Sequence, residues 1–257
     1  MHDNGNDDLE MLQNPLRSHY ETEGARVERY GNTSYWDSRY HQRRFQMVCG
    51  LLASLGPSGA TFLDVGAGTG EYLDYMTSAG VIEAIAIDLS FNYCRRLSAR
   101  TNLVAEASAT SLPLASRCVD IVLCSEVIEH IPGSDTCTVI SELCRVARRA
   151  VVITTPNRSA LIRRIGRMIS PGSVDSLDKE VGHINLMNAK EFRTVLGIDG
   201  WELKRLKIDH VLPPVIGETL KLSEIWARPL EAVERCATNG TISARAGNAM
   251  AAVLLRA

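Results

Sequence analysis

Short apolar segments alternate with amphipathic segments through the middle of this chain, and no other feature constrains its fold as strongly. The apolar segments have the length of buried strands, and the amphipathic ones have helical spacing. The predicted strands are residues 61–65, 82–87, 103–105, 119–124 and 150–154, and the predicted helices between them are residues 71–79, 91–100 and 135–146. Such an alternation produces right-handed strand–helix–strand units and an α/β fold with helices on both faces of a parallel sheet.

The flanking segments complete one predicted domain at residues 34–257. Residues 1–33 are polar and lack periodicity, so we expect a flexible N-terminal arm. A helix is predicted to begin near Ser34 and to precede the first strand. The later predicted elements are a helix opened by Asn188, a strand at 201–211 and a closing strand at 249–257, with lid or insert segments near 158–187 and 211–249.

The bulk composition argues against several functional classes. The 257 residues are 45% hydrophobic and 23% charged, with a formal net charge of -2, which is typical of a soluble globular protein and supplies no basic surface for nucleic acid. The N-terminus has no cationic and apolar leader, and no apolar run approaches membrane-spanning length, so we expect a cytoplasmic protein. Seven cysteines without a C-x-x-C pair argue against a disulfide framework or a zinc ribbon.

A glycine-rich turn, in "FLDVGAGTGEYL", directly follows the first predicted strand. Gly66, Gly68 and Gly70 permit a tight turn and close backbone approach, and the helix that begins beyond them offers free N–H groups to a ligand. Glu71 stands where a dinucleotide-binding turn needs its third glycine. A carboxylate at that position would repel a pyrophosphate, which argues against NAD or FAD.

Asp88 ends the second predicted strand, twenty residues after Gly68. A carboxylate at this distance from a glycine turn can accept hydrogen bonds from both hydroxyls of a ribose. The turn and Asp88 together predict a nucleoside-type ligand.

These motifs resemble those of the class I S-adenosylmethionine-dependent methyltransferases, in particular the type 11 methyltransferases and the ubiquinone-pathway O-methyltransferases. The resemblance extends from about Tyr35 to Trp201 through "LDVGAGTG", "AIAIDLS", "ASATSLPL", "VDIVLCSEVIEHI" and "VVITTPNR". It implies a Rossmann-like, doubly wound sheet of seven strands, mostly parallel with an antiparallel last strand. It also implies that S-adenosylmethionine lies across the carboxyl ends of the first, second and fourth strands.

The resemblance assigns the cofactor-binding residues. The glycine loop would contact the methionine portion, Asp88 the ribose and Leu89 the adenine face. The expected cofactor-binding residues are Asp64, Gly66, Ala67, Gly68, Gly70, Asp88, Leu89, Ser108, Ala109, Ser125 and Arg39. Ser108 replaces the usual aspartate of the family, so we expect weaker anchoring of adenine, with part of it supplied by the Ala109 backbone.

The segment "CSEVIEH" places Glu126, Glu129 and His130 just beyond the fourth strand, where this fold holds its ligand. In one interpretation these side chains only bond backbone groups of the loop. In the interpretation that we favour, His130 is a general base that takes a proton from a substrate hydroxyl and Glu129 orients it. Methyl transfer from a sulfonium is already favourable, so one base suffices.

A metal-assisted interpretation adds His183, from "EVGHINL". The pattern E-x-x-E-H with a distant histidine resembles the magnesium site of methyltransferases that modify the 3′-terminal 2′-hydroxyl of small RNAs, and the metal site proposed for some ubiquinone-pathway O-methyltransferases. The resemblance implies that Glu126, Glu129, His130 and His183 bind Mg²⁺ or a similar cation, which lowers the pKa of a substrate hydroxyl. A non-catalytic subunit that only binds the cofactor is a further alternative.

The segment after the fifth strand bears on the substrate. Residues 157–170 place apolar side chains such as Ile165 on one helical face and arginines largely elsewhere. Such a helix can lie on an anionic membrane or bind a phosphate, or it can be a lid that packs on the domain. We therefore expect a small-molecule or lipid-like substrate, leave peripheral membrane contact open and expect no nucleic acid partner.

Overall fold

The structure is a computed structural model, which describes residues 35–160, 163, 164, 168, 172, 178, 179, 181–209, 229 and 247–257, with side chains from residue 41 onward. The predicted N-terminal arm, the side chain of Arg39, part of the first predicted lid segment and most of the second lie outside the described residues. So does half of the amphipathic segment at 157–170, including Ile165. Among the helices of the described residues, none combines the length and the apolar character needed to cross a membrane.

The elements of the described residues follow the predicted order, with differences at their ends. They are α1 (Tyr35–Ala53), β1 (Thr61–Val65), α2 (Glu71–Ser78), β2 (Glu83–Asp88), α3 (Phe91–Leu97), β3 (Val104–Glu106), β4 (Val119–Ser125), α4 (Thr136–Val146), β5 (Ala147–Pro156), α5 (Ala189–Val195), β6 (Trp201–Asp209) and β7 (Ala249–Arg256). Two short 3-10 turns, Ile128–His130 and Gly133–Asp135, connect β4 to α4. Asn188 caps α5 as predicted, and its side chain accepts from the backbone N–H of Glu191.

One seven-stranded sheet organises the fold, in the order β3-β2-β1-β4-β5-β7-β6. Strands β3, β2, β1, β4 and β5 pair in parallel, whereas β7 runs antiparallel to both β5 and β6. The predicted Rossmann-like sheet with an antiparallel last strand is therefore confirmed. Because parallel strands end at the same edge, the loops after β1, β2, β4 and β5 lie side by side there.

The core covers both faces of the central strands, because successive side chains of a strand point to opposite faces. Leu63 and Val65 of β1 pack with Ile140 and other α4 residues on one face. Phe62 packs on the opposite face, with residues of α1 and α2. Phe62 and Leu63 are both fully buried. The strands that carry the site are thus fixed from both sides.

Strand β5 begins at Ala147, earlier than the predicted start at Ala150. Arg148 and Arg149 are exposed and interrupt the apolar pattern, which is why the pattern alone misplaces the boundary. Backbone pairing nevertheless continues to Ala147, whose carbonyl also accepts a hydrogen bond from Arg256 at 2.6 Å.

We expect Phe62→Ala to destabilise the fold by about 3–5 kcal/mol, because it leaves a cavity between β1 and the helices above it. Urea unfolding of the ligand-free protein measures the change. Ile82→Ala is the control, since Ile82 is 75% exposed and its truncation should change stability by roughly 0.5 kcal/mol or less. Equal losses in the two variants would contradict this account of the core.

Candidate active site

The glycine loop after β1 is fastened to the end of β2. The backbone N–H groups of Gly66 and Ala67 both donate to the Ile87 carbonyl, at 2.7 and 3.2 Å. Gly66 has φ +74°, and a Cβ at this position would lie 2.3 Å from Val127 Cγ2. Glycine is therefore required here for two reasons, the left-handed backbone and the close approach of the loop that follows β4.

The second half of the loop faces the predicted ligand. Gly68 also has a positive φ, +50°, but no described atom lies within 4 Å of where its Cβ would be. Gly70 forms the N-cap of α2, and its N–H donates to the Ala67 carbonyl at 2.8 Å. Space is therefore left above Gly68, beside the start of a helix, as the sequence predicts for a ligand floor.

Asp88 is fixed at the end of β2 by the loop itself. Its Oδ2 accepts the N–H of Gly68 at 2.9 Å, and its Oδ1 accepts the N–H of Ser90 at 2.9 Å. Each carboxylate oxygen can accept a further bond, so both can still meet ribose hydroxyls. The adjacent Leu89 is half-buried beside this carboxylate. The position suits the predicted ribose contact, which stays a prediction.

The predicted adenine contacts form a local turn. The Ser108 Oγ lies 2.7 Å from Thr110 Oγ1 and accepts the N–H of Thr110 at 3.2 Å. Ala109, between them, is buried. The Ser108 hydroxyl thus already has two local partners, which fits the predicted weaker bond to adenine.

Asp64, on β1 beneath the loop, is a buried carboxyl that is only partly satisfied. It is 1% exposed, and its Oδ2 has no hydrogen-bond partner among the described residues. Burial, with a smaller contribution from the negative charge of Asp88, raises the pKa of Asp64 to about 8. A cationic ligand group would suit this site, because its positive charge would stabilise the ionised form of the buried carboxyl.

Glu126 stands apart from the other residues of the "CSEVIEH" cluster. Its backbone has φ +56°, a left-handed conformation that is strained for glutamate. Its Oε1 accepts the Thr154 hydroxyl at 2.9 Å, and its Oε2 accepts Arg44 Nη1 at 3.0 Å. β5 and α1 hold the Glu126 carboxylate apart from the ligand atoms of Glu129, His130 and His183, and the four-residue metal set stays a prediction.

Helix α1 closes over the loop through residues that the sequence did not indicate. Arg44 reaches Glu126 from α1, and Phe45 stacks on Tyr72 of α2 with ring centroids 5.3 Å apart. Burial raises the pKa of Tyr72 to about 12, against a smaller opposing effect of the Arg44 charge. The Ser125 Oγ lies 2.9 Å from Thr154 Oγ1, so the end of β4 is tied to β5.

Glu129, His130 and His183, which we call the acid–histidine cluster, do come together. Each offers a ligand atom, and these atoms lie within 4.8 Å of one another. The imidazole rings of His130 and His183 are 5.0 Å apart, centroid to centroid. Glu129 is fully buried; its Oε2 accepts the Thr155 hydroxyl at 3.1 Å, while its Oε1 has no hydrogen-bond partner among the described residues.

The predicted orientation of His130 by Glu129 is not made by a hydrogen bond between them. His130 Nε2 lies 3.8 Å from Glu129 Oε1, too far for a hydrogen bond. Instead His130 Nδ1 lies 3.1 Å from the Gly182 carbonyl. A carbonyl only accepts, so Nδ1 carries the proton and Nε2 keeps the lone pair. Burial, and then the charge of Glu126, raise the pKa of Glu129 well above its usual range.

The acid–histidine cluster fits a divalent cation. A buried carboxylate oxygen without a partner and two imidazoles are ligands that such an ion accepts, and carboxylate favours Mg²⁺ or Mn²⁺ while imidazole favours softer metals. A cation would also offset the cost of burying the Glu129 charge. The same groups without a cation form a proton-accepting site, so both predicted chemistries remain available.

Sequence signals existed for only some of the missed residues. Thr154 ends the fifth predicted strand and Thr155 follows it directly. Thr154 pairs in register with Ser125, so placing β5 beside β4 would have found them. Arg44 lies 82 residues from Glu126 in a helix with no motif. Asp178, which contacts His183, falls in a segment without periodicity.

Comparison with known proteins agrees with this geometry. Residues 63–155 match the family model described as a methyltransferase domain. Two uncharacterized methyltransferases, from Mycobacterium sp. strains KMS and MCS, are each 34% identical over 96 residues, which are 36% of this chain and 36% of the relative. The match therefore spans about a third of the length of these curated relatives.

Similar solved structures cover nearly the whole fold. Magnesium protoporphyrin IX methyltransferase from Synechocystis PCC 6803 with bound SAH has a TM-score of 0.62 at 16% identity, covering 94% of this chain and 98% of that chain. A SAM-dependent methyltransferase from Archaeoglobus fulgidus has a TM-score of 0.55 at 17% identity, covering 87% of this chain and 100% of that chain. At these identities the likeness shows the fold.

The sheet order, the glycine loop and Asp88 define a Rossmann-like α/β protein with a site for a nucleoside-type ligand. Within that class, residues 63–155 match a methyltransferase domain, and together with the similar solved structures this match supports the class I S-adenosylmethionine-dependent methyltransferase family. S-adenosylmethionine is the cofactor of this family.

The buried carboxyl of Asp64 makes stability depend on pH. Its pKa is about 8 in the fold against 3.8 as an ordinary carboxyl, so between these values the folded state holds a proton that the unfolded chain has released. The contribution of Asp64 to stability is therefore lost as pH rises, by about 1.4 kcal/mol per pH unit. From pH 5 to 7 we expect the free energy of unfolding of Asp64→Asn to rise relative to that of the wild type by about 1.4 kcal/mol per pH unit. Urea unfolding without ligand measures this difference.

Asp120→Asn is the matched control. Burial raises the pKa of Asp120, but the hydrogen bonds from Thr61 together with the charge and hydrogen bond of Arg148 outweigh burial and lower it. Asp120 is therefore ionised in both folded and unfolded states above pH 5, and the stability difference between this variant and the wild type should stay constant up to pH 8. A constant difference for Asp64→Asn as well would contradict the assignment of a neutral Asp64.

Proposed function

We propose that this chain transfers the methyl group of S-adenosylmethionine to a hydroxyl oxygen of a small or lipid-like metabolite. The observation that carries the proposal is the 3.1 Å contact between His130 Nδ1 and the Gly182 carbonyl, which favours the Nδ1–H tautomer of the neutral ring. The Nε2 lone pair is thereby free of the proton, in a loop beside the predicted cofactor site. A base in that position can accept a proton from an acceptor hydroxyl.

The residues around the glycine loop suit this cofactor. S-adenosylmethionine carries a sulfonium and an ammonium, and the partly satisfied carboxyl of Asp64 complements a cationic group. Asp88 is placed for the ribose hydroxyls, and the open space above Gly68 admits a ligand against the loop. The solved Synechocystis methyltransferase with a similar fold has bound SAH. These features support binding of the cofactor across the ends of β1, β2 and β4.

The proposed reaction is an in-line displacement. The acceptor oxygen attacks the methyl carbon, the oxygen–carbon bond forms as the carbon–sulfur bond breaks, and the hydroxyl proton passes to His130 Nε2. The sulfonium is a good leaving group, so the protein contributes mainly the alignment of the two reactants and the removal of that proton.

An apolar rim beside His130 supports a substrate with an apolar body. Val181 is 40% exposed and Ile184 is 59% exposed, and they flank Gly182 and His183 directly. Exposed apolar side chains that adjoin a polar catalytic group are typical of sites for ligands with both characters. A hydroxylated lipid-like compound could place its hydroxyl at His130 and its apolar part on this rim.

Metal-assisted O-methylation is the second candidate, and the acid–histidine cluster favours it. A divalent cation held by Glu129, His130 and His183 would lower the pKa of the acceptor hydroxyl. Glu129 would supply the Oε1 that otherwise lacks a partner, and the two histidines would supply their Nε2 atoms. The requirement for a cation is what separates this candidate from the first.

The cofactor assignment predicts that the affinity for the cofactor depends strongly on Asp88. We expect calorimetry to detect S-adenosylhomocysteine binding to the wild type and Asp88→Ala to weaken it by about 10–100-fold, because charge-assisted bonds to the ribose are lost. Asp120→Asn removes a carboxylate that bonds Thr61 instead of the loop, and should bind like the wild type. Binding of NAD but not of S-adenosylhomocysteine would overturn the assignment.

The two proposed mechanisms predict different losses of activity when single residues are replaced or metal is removed. If His130 acts alone as the base, His130→Ala should lower turnover about 100-fold or more, His183→Ala should cost far less, and chelators should have little effect. If a cation is held, Glu129→Gln, His130→Ala and His183→Ala should be comparably damaging, and chelation should abolish an activity that Mg²⁺ or Mn²⁺ restores. The measurement is methyl transfer from labelled S-adenosylmethionine across a panel of hydroxylated metabolites.

Neither pattern requires Glu126 as a ligand, because Arg44 and Thr154 hold its carboxylate. Full activity in the absence of both His130 and any cation would contradict both candidates.

A further inference from the structure

Two largely buried charged side chains, Asp178 and Arg163, lie on the Nδ1 side of His183. His183 Nδ1 lies 3.4 Å from Asp178 Oδ1, and the backbone N–H of His183 donates to the Asp178 carbonyl at 2.8 Å. Asp178 in turn accepts two bonds from Arg163 Nη1, at 2.7 Å on Oδ1 and 2.6 Å on Oδ2. The chain of contacts ends at the acid–histidine cluster.

This support is too well enclosed to be an ordinary surface ion pair. The side chain of Arg163 is 12% exposed and that of Asp178 is 10% exposed. Removing two charges from water is costly unless good geometry and further hydrogen bonds compensate it, and here both oxygens of Asp178 are engaged. The Arg163 side chain is therefore directed to Asp178 and largely shielded from solvent.

The geometry determines which nitrogen of His183 carries a proton. In the neutral ring, a carboxylate next to Nδ1 favours the tautomer with the proton on Nδ1 and the lone pair on Nε2. The Gly182 carbonyl imposes the same tautomer on His130. Both rings then offer Nε2 to the cluster, although water favours the opposite tautomer for a free imidazole.

We propose that Asp178, backed by Arg163, is a positioning residue that holds His183 as its Nδ1–H tautomer and presents the Nε2 lone pair to the acid–histidine cluster. The inference rests on the proposed function in assigning the cluster to the activation of an acceptor hydroxyl. It holds equally for a proton-accepting cluster and for one that binds a cation, since hydrogen bonds of this kind orient ligating histidines.

The test compares the wild type with Asp178→Asn by long-range nitrogen–proton NMR correlation of the histidine rings, at a pH where the imidazoles are neutral. We expect His183 of the wild type to be protonated on Nδ1 and the variant to shift toward the Nε2–H form, because the amide carries no negative charge. The control is Glu191→Gln, which neutralises the carboxylate of the neighbouring, more exposed Arg158–Glu191 pair without touching either histidine. It should leave the tautomer unchanged.

A second readout uses Mn²⁺ alone. If the cluster binds cations, Asp178→Asn should weaken the affinity for Mn²⁺ by about 10–100-fold, as is typical when the partner of a ligating histidine is lost, and Glu191→Gln should not. Paramagnetic resonance of free Mn²⁺ measures both. Equal Mn²⁺ affinities in the wild type and Asp178→Asn, with measurable binding in each, would count against the positioning role.

Asp178→Asn leaves Arg163 without its charged partner, so a folding control is needed. The double variant Arg163→Met/Asp178→Asn removes both charges, and S-adenosylhomocysteine calorimetry confirms that the cofactor site of each variant is intact. An Nε2–H tautomer of His183 in the wild type, or an unchanged tautomer in both variants, would overturn the inference. A tautomer shift in a chain that methylates nothing would leave the inference standing and refute the proposed function.

Discussion

The parallel register of β1, β4 and β5 is the constraint on which the whole site depends. It sets Val65 beside Cys124 and Ser125 beside Thr154, so that three loops leave the sheet at one edge. The glycine loop can then pack on Val127, and the threonines of β5 can bond the glutamates that follow β4. A slip of one residue would turn every one of these side chains to the opposite face.

Two buried carboxyls distinguish this edge from the rest of the core. Asp64 and Glu129 each keep one oxygen without a hydrogen-bond partner among the described residues, and burial raises the pKa of both. An unsatisfied buried polar group typically costs about 1–3 kcal/mol of stability, so we expect a fold to retain one only where it serves a function. Here both groups adjoin proposed ligand positions, which is where local stability and function are expected to conflict.

The features that the sequence predicted correctly depend on residues that lie close together along the chain. The strand periods, the glycine turn and the spacing of Asp88 are short-range features, and the structure contains these elements in the predicted order, although β5 begins at Ala147 instead of Ala150. The orientation of His130 was predicted from its neighbour Glu129, but the 3-10 turn separates their side chains, and the carbonyl that orients His130 comes from a residue 52 positions away. The contacts of Arg44 and Asp178 likewise join distant segments, and no periodicity encodes them.

The placement of β7 has a consequence for how the chain is made. Strand β7 lies between β5 and β6, and both of these are synthesised before it. Until β7 leaves the ribosome, β6 has no partner, and β5 presents an open edge of unpaired N–H and C=O groups. The part of the sheet formed by β1 to β5 can assemble co-translationally, but the nascent sheet stays prone to pairing with other chains until β7 is inserted.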